Sequence, residues 1–254
     1  MSKNILFVLE GEKTEPKFLK KIVSLMRIYD NYEIFSYRAN LYQMLEGMLK
    51  DGEIDSDLDF IEYLKSCKTN KEDQYVLEKK FSDIFLFFDM DPQDQLYDSD
   101  KLAKAIEYFG DSTDNGKLYI NYPMFESFKH ISNLDDLSYL DTMVARKDIV
   151  NYKGTVNGVG MVTLSDFSRI DESTMLKIIL LNLRKANMIL GNGSDIPSVE
   201  SYDESTSQGR LLNAQIGKLN ETDKIYVLNT CVFNTIDYNP SRFYERVATD
   251  GHLE

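Results

Sequence analysis

Two apolar runs end abruptly in acidic residues and set the pattern of the chain. Residues 84–88 (IFLFF) are apolar throughout and are followed by a group of aspartates and by Pro92. A continuous apolar run of this length is typical of a strand that is buried on both faces of a parallel sheet. Residues 4–9 (NILFVL) have the same character and end at a glutamate. The pattern predicts two inner strands of one α/β sheet.

The remaining periodicity predicts further strands alternating with amphipathic helices. After the first strand, Thr14 is placed to cap a helix and Pro16 lies in its first turn. Pro123 begins another helix, with Glu126 in its first turn. Further strands are predicted at 31–37, 117–122 and 224–229, the last as a parallel strand, and further helices at 41–50, 99–109, 171–190, 206–219 and 239–247.

These elements predict an α/β fold with a mainly parallel sheet of four to five strands flanked by helices. Residues 1–130 form the core of this prediction. Residues 131–254 are a helical elaboration with a late strand that completes the same domain.

Asp89 and Asp91 are two residues apart at the end of the second apolar run. In an extended chain such residues point the same way, so the two carboxylates project together. A divalent cation relieves their repulsion, and oxygen ligands suit Mg²⁺ or Mn²⁺. The alternative is an ordinary acidic turn, because Asp and Pro are common turn formers. Asp94 is a further candidate ligand.

Glu10 and Glu15 flank the turn between the first strand and its helix, and Gly11 lets the backbone turn sharply there. Ligands of open α/β sheets bind at the carboxyl edge, where Glu10 is placed. An acidic residue such as Glu15 in a first helical turn is also explained by the helix dipole. Lys13 is a candidate for phosphate binding, with a solvated lysine as the alternative.

Composition limits the chemistry that the chain can perform. The 254 residues include two cysteines, Cys67 and Cys231, which fit neither a metal knuckle nor a disulfide framework, and only two histidines. Catalysis must therefore use carboxylates, lysines, arginines and metal. The net charge of −13 argues against a broad basic surface for nucleic acid, although bound cations reverse the local field at a site. We find no membrane-spanning run and no signal peptide, so we expect a cytoplasmic protein.

Three segments together resemble the Toprim-containing RloB-like family. They are EGEKTEPKF at 10–18, FDMD at 88–91 and NYPMFESF at 121–128. The family has EGxxTEPxY/F after its first strand, DxD after a later strand, and a segment close to NPxFExW/F. The motifs cover the first half of the chain. In the third segment Tyr122 stands between the asparagine and the proline, which departs from the family pattern.

The resemblance implies a Toprim fold in which Glu10, Asp89 and Asp91 converge at the carboxyl edge of the sheet. In Toprim enzymes the glutamate acts as general acid or base and the aspartates coordinate magnesium. Related OLD-type nucleases add a glutamate at the start of the first helix, which Glu15 resembles. The resemblance also implies a role in anti-phage defence or abortive infection, beside a partner ATPase encoded nearby.

The leading hypothesis is therefore a Mg²⁺- or Mn²⁺-dependent nuclease acting on DNA or RNA, such as tRNA, with possible assembly into a homo-oligomer. Its catalytic residues are Glu10, Asp89 and Asp91, and Glu15 and Asp94 complete the candidate metal ligands. The supporting residues are Gly11, Lys13, Thr14 and Glu126. The charge of the transition state could be neutralised by any of four basic residues, which the sequence does not distinguish: Lys13, Lys17, Arg146 and Lys147.

Two rival functions stay open at this point. A strand followed by DxD also opens the site of Asp-nucleophile phosphatases, but those place the motif on the first strand, with Thr or Val where this chain has Gln93. A regulatory or binding module would hold metal or contact an ATPase without cleaving anything.

Overall fold

A computed structural model describes residues 3–55, 57–67 and 71–249 of the chain. Residues 250–254, the end of the predicted second segment, lie outside the described residues. The strands are β1 (Asn4–Leu9), β2 (Asn31–Ser36), β3 (Leu49–Lys50), β4 (Glu53–Ile54), β5 (Asp83–Asp89), β6 (Gly110–Asp111), β7 (Gly116–Asn121), β8 (Met143–Ala145) and β9 (Lys224–Tyr226).

Helices follow and separate these strands. They are α1 (Thr14–Met26), α2 (Leu41–Met48), α3 (Phe60–Ser66), α4 (Lys71–Gln74), α5 (Ser99–Tyr108), α6 (Tyr152–Val159), α7 (Val162–Ser165), α8 (Glu172–Ile189), α9 (Tyr202–Ser205), α10 (Gln208–Thr222), α11 (Asn234–Asp237) and α12 (Pro240–Thr249). Short 3-10 helices lie at Tyr75–Glu78, Phe125–His130, Ser138–Asp141, Arg146–Asn151, Phe167–Arg169 and Cys231–Phe233.

A five-stranded sheet in the order β2-β1-β5-β7-β6 forms the centre of the described chain. Its first four strands pair in parallel, and the short β6 pairs antiparallel with β7. All seven residues of β5 are buried, as the apolar run predicted. Because parallel strands end at the same edge of a sheet, the residues that follow β1, β5 and β7 are brought together.

Both halves of the chain pack on this sheet. Helix α1 contacts α8 and α11, and α10 contacts β7 and α5. One continuous apolar cluster runs from Ile5 in the first strand to Val247 in the last helix. The later helices therefore cover the sheet that the first half forms.

The prediction of a late parallel strand is wrong. Strand β9 pairs antiparallel with β8 in a separate two-stranded sheet, with Ile225 opposite Val144. The Gln215 side chain of α10 holds β9 at both backbone groups of Tyr226, at 2.9 and 3.0 Å. An apolar run reports burial but not the direction of pairing, so the sequence could not distinguish these arrangements.

The helix predicted to begin at Pro123 is also wrong in its start. The backbone of Tyr122 stays extended and exchanges two hydrogen bonds of 2.8 Å with Leu228. The peptide bond between Tyr122 and Pro123 is cis. A 3-10 helix begins only at Phe125, and Glu126 still lies in its first turn.

None of the helices in the described part of the chain is both long and apolar enough to cross a membrane.

Candidate metal centre

Three carboxylates meet at the carboxyl edge of the central sheet. Glu10 directly follows β1, and Asp89 is the last residue of the neighbouring β5. With Asp91, each of these residues offers one oxygen, and the three oxygens lie within 4.8 Å of one another. The structure thus brings together the three residues that the sequence proposed as catalytic. The group can hold a metal ion.

Asp91 reaches this group through a turn rather than through strand alternation. Strand β5 ends at Asp89, and Asp91 has φ 39°, in the left-handed region that Asp tolerates better than most residues. The backbone N–H groups of Met90 and Asp91 donate to the carbonyls of Asn121 and Pro123, at 3.0 and 3.1 Å. The turn is therefore fixed by the chain that continues β7.

Glu10 and Asp89 are also linked by a hydrogen bond. The backbone N–H of Asp89 donates to Glu10 Oε2 at 3.2 Å, and the N–H of Glu10 donates to the Phe87 carbonyl at 3.2 Å. Asp89 is buried, and its Oδ1 accepts a long bond of 3.4 Å from the Asn121 amide. These contacts orient both side chains without neutralising either charge.

Burial and like charge raise the pKa values of all three carboxyls. Burial, with the charge of Asp91, raises the pKa of Glu10 from 4.5 to about 8. Burial and the charges of Glu10 and Asp91 hold the pKa of Asp89 well above its usual range, and burial also raises that of Asp91. An isolated charge in this position is costly unless a cation offsets it. The site therefore favours either protons or a positive ligand.

Glu15 lies beside the three carboxylates, outside the group whose oxygens converge. It is buried in the first turn of α1, and its Oε2 accepts the Gly11 N–H at 2.6 Å. A Cβ on Gly11 would lie 2.9 Å from Glu15 Oε1, so a larger residue here would force the Glu15 carboxylate to shift. Burial raises the pKa of Glu15 to about 7, and the charge of Glu126 adds to the effect.

The prediction that Thr14 caps α1 is wrong. Thr14 is the first helical residue, and the N-cap is Lys13, whose side chain makes no capping hydrogen bond. The Glu15 carboxylate, bonded to Gly11, closes the turn before the helix instead. The side chains of Lys13 and Lys17 are exposed.

Asp94 has a separate set of partners. Its Oδ2 accepts the Asn40 side-chain amide at 2.9 Å, and its Oδ1 accepts the Leu96 N–H at 2.7 Å. It is not part of the group of converging oxygens, and these bonds describe a side chain that fixes a loop. Arg146, another sequence candidate, pairs with Asp223 at 3.2 Å.

Sequence reasoning missed three side chains at this edge. Asn121 contacts Asp89, the Gln93 amide donates to Asp91 Oδ1 at 2.9 Å, and Lys153 pairs with Glu126 at 3.5 Å. Asn121 lies within the third motif segment and Gln93 lies two residues after the second, so the motifs could have drawn attention to both. Lys153 lies on α6, far from every motif, and nothing in its local sequence distinguishes it from a solvated lysine.

Neither a protein-family model, nor a curated protein, nor a solved structure matches this chain. The case for its function therefore depends on the geometry and chemistry of the site.

Proposed function

We propose that this protein is a divalent-metal-dependent nuclease of the Toprim type that hydrolyses phosphodiester bonds in DNA or RNA. The observation that supports it most is the convergence of Glu10, Asp89 and Asp91 within 4.8 Å at the carboxyl edge of a parallel sheet. Buried carboxylates that face one another destabilise a fold unless a ligand offsets their negative charges. This edge is also where open α/β folds bind ligands.

The donor set fits Mg²⁺ or Mn²⁺. All three converging atoms are carboxylate oxygens. Hard divalent cations bind such oxygens in preference to sulfur, whereas softer metals prefer sulfur ligands. A cation bound here supplies positive charge to a substrate phosphate and lowers the pKa of water in the site. Asp89 and Asp91 would hold the cation, since their backbone groups are fixed by β5 and by the turn after it.

Glu10 has the properties of the proton-transfer group. In the metal-free site, burial and the charge of Asp91 raise its pKa to about 8, and a bound cation would lower it toward neutral pH, where a general acid or base works best. Its bond from the Asp89 N–H fixes the carboxylate in the site. In hydrolysis, a water oxygen forms a bond to phosphorus as the bond to the leaving oxygen breaks. Glu10 passes the proton of the water to the leaving oxygen.

The resemblance of three segments to the RloB-like family supports the same proposal. The carry-over is firmest for residues 10–18, where EGEKTEP matches the family pattern, and weaker for Glu126, because Tyr122 interrupts the third segment. By the same resemblance we propose a cytoplasmic role in anti-phage defence, controlled by a partner ATPase, with assembly into a homo-oligomer.

The test is cleavage of plasmid DNA and of tRNA with Mg²⁺ or Mn²⁺, comparing the natural chain with Asp89→Asn and Glu10→Gln. Because both variants keep the shape of the side chain and remove its charge, we expect turnover to fall by about 10³-fold or more. Asp94→Asn is the matched control, because its carboxylate fixes a loop. Activity that survives in both Asp89→Asn and Glu10→Gln contradicts the proposal.

A non-catalytic binding module is the second candidate, and the net charge of −13 favours it. Such a module would bind metal and a partner without turnover, even within the assembled complex. Purification of the complex from native cells, followed by a nuclease assay with and without chelator, separates the two functions. Metal-dependent cleavage that is lost with Asp89→Asn excludes the binding-only function.

A further inference from the structure

A lysine from the second half of the chain lies at the border between the buried carboxylates and solvent. Lys153 Nζ is 3.5 Å from Glu126 Oε1. The lysine side chain is 67% exposed, whereas the side chain of its partner is only 11% exposed. The ammonium group therefore has one side against protein and one side open to an incoming molecule.

The charge of Lys153 acts on the whole acidic edge and not on Glu126 alone. It lowers the pKa values of Glu10, Glu15 and Asp91, against the larger effect of burial. Burial lowers the pKa of Lys153 itself, but the charges of Glu126, Asp89 and Asp91 outweigh this and raise it. Lys153 is thus a cation that interacts with every member of the converging group.

The neighbouring Lys129 is held differently. Its Nζ lies over the rings of Phe128 and Phe167, at 5.9 and 6.0 Å from their centres, and burial lowers its pKa. Aromatic contacts of this kind fix a lysine against the protein. Lys153 has no such aromatic contact among the described residues; it pairs with Glu126, and its own side chain is mostly exposed.

The helix that carries Lys153 also presents two exposed glycines. Gly154 and Gly158 are exposed on α6, and a Cβ at either position would meet nothing within 4 Å. Residues four apart lie on the same face of a helix, so the two glycines leave one bare strip. A phosphate backbone can approach such a strip closely because no side chain intervenes.

An ordinary surface pair is the alternative explanation, and the chain supplies one for comparison. Lys50 Nζ lies 3.9 Å from Asp55, with side chains that are 73% and 33% exposed. Exposed pairs of this kind have little energetic consequence. The difference is the partner, because Glu126 is buried beside Glu15 and the converging carboxylates.

We propose that Lys153 is a catalytic residue of this site: it contacts the substrate phosphate through Nζ and supplies the second positive charge beside a single divalent cation. The inference rests on the proposed nuclease function. In hydrolysis, Nζ would leave Glu126 for a phosphate oxygen and stabilise the added negative charge as the phosphorus accepts the water oxygen. No proton transfer is required of Lys153.

The test compares Lys153→Gln, Lys153→Arg and Lys50→Gln in two assays. Calorimetric titration with Mn²⁺ measures affinity and stoichiometry without substrate, and cleavage kinetics measure kcat and KM. Because Lys153→Gln removes a repulsive charge, we expect Mn²⁺ to bind about 3- to 10-fold more tightly. We expect kcat to fall by about 100-fold with a small change in KM. Lys153→Arg should recover most of kcat, and Lys50→Gln should match the natural chain, for which we expect a stoichiometry of one Mn²⁺.

Opposite signs in the two assays are the signature of this role. If Lys153 has a structural role, Mn²⁺ affinity and kcat should fall together in Lys153→Gln. If it is a solvated lysine, neither should change. Either result overturns the inference, as does binding of two Mn²⁺ by the natural chain. The metal assay decides the electrostatic claim even if no nucleic acid is cleaved. Failure of the proposed function appears separately, as no cleavage by the natural chain or as cleavage that survives in Asp89→Asn.

Discussion

At the amino-terminal edge of the central sheet, the Asp237 carboxylate accepts hydrogen bonds from the hydroxyls of Tyr119 and Tyr202 and pairs with Lys117. At the opposite edge, the buried Asp89 has other carboxylates as its neighbours and one long bond from an amide. The two edges of the sheet therefore differ: at one, an acidic side chain is matched by a cation and two hydroxyl donors, and at the other, acidic side chains mainly face one another.

Asp83 follows the pattern of the amino-terminal edge. Its oxygens accept the hydroxyls of Ser82 and Ser112, and Lys3 lies at 3.5 Å. The fold thus supplies donors to a buried carboxylate where the charge serves structure. At the other edge the three converging carboxylates have no such matched set of donors among the described residues and face one another, which agrees with the proposed metal site.

The sharpest test of this difference replaces one carboxylate by an amide at each edge of the sheet. Asp237→Asn removes the acceptor of two tyrosines and the partner of Lys117, so we expect the free energy of unfolding to fall by roughly 2–3 kcal/mol. Asp89→Asn removes a charge that is repelled, so we expect the metal-free protein to gain about 1 kcal/mol or more at pH 8. Urea denaturation with chelator present measures both.

The comparison fails if both substitutions destabilise the protein to a similar degree. Mn²⁺ affinity is the internal control, because Asp237→Asn should leave it within about 2-fold, given the distance between the two edges of the sheet, while Asp89→Asn should reduce it strongly.

A smaller effect is expected from pH. On folding, the pKa of Glu10 rises from 4.5 to about 8 and that of Glu15 rises from 4.5 to about 7. Between the unfolded and the folded pKa of each group, the folded protein therefore binds more protons than the unfolded chain. Metal-free stability must then fall as pH rises from about 5 to 8, by several degrees in Tm. Carboxyls whose pKa is lowered, such as Asp171, titrate below this window.

Divalent metal should reverse this trend, since its binding offsets the same charges and its affinity rises as the carboxyls lose their protons. Scanning calorimetry at pH 5.5 and pH 8, with chelator and with Mg²⁺, checks both statements. A metal-free Tm that is constant or rises over this pH range would show that the carboxylates do not repel one another in the folded protein.

The smallest effect is predicted for Asp94→Asn. An amide can still accept the Leu96 N–H through its oxygen, and the natural side chain is engaged with Asn40 rather than with the converging carboxylates. We expect Mn²⁺ affinity within about 2-fold of the natural chain and a loss of stability of about 1 kcal/mol or less. A ten-fold loss of affinity would make Asp94 a ligand.

Local patterns in the sequence were sufficient to predict the inner strands of the sheet. Strands β1 and β5 follow from continuous apolar runs, and parallel topology then brings Glu10 and Asp89 to one edge. The placement of Asp91 could not follow from strand alternation, because the left-handed turn after Asp89 moves it. Helix α8 agrees closely with its predicted range because its apolar period is long and regular.

The parts that sequence missed depend on contacts between distant segments. Lys153 reaches Glu126 only because α6 packs against the 3-10 helix at Phe125–His130. The direction of β9 is set by β8 and by Gln215, which no local pattern encodes. Prediction from one sequence is weakest where residues from the two halves meet.

Asn121 connects the acidic edge to the late part of the chain. Its amide donates to Asp89, and its Oδ1 accepts the Cys231 N–H at 3.4 Å. The neighbouring Thr230 hydroxyl donates to the Ile120 carbonyl at 2.8 Å. During synthesis, a ribosome that has released only the first two hundred residues has already supplied every carboxylate of the site, but not the segment that steadies Asp89. We therefore expect a nascent chain to complete its candidate metal site only near the end of translation.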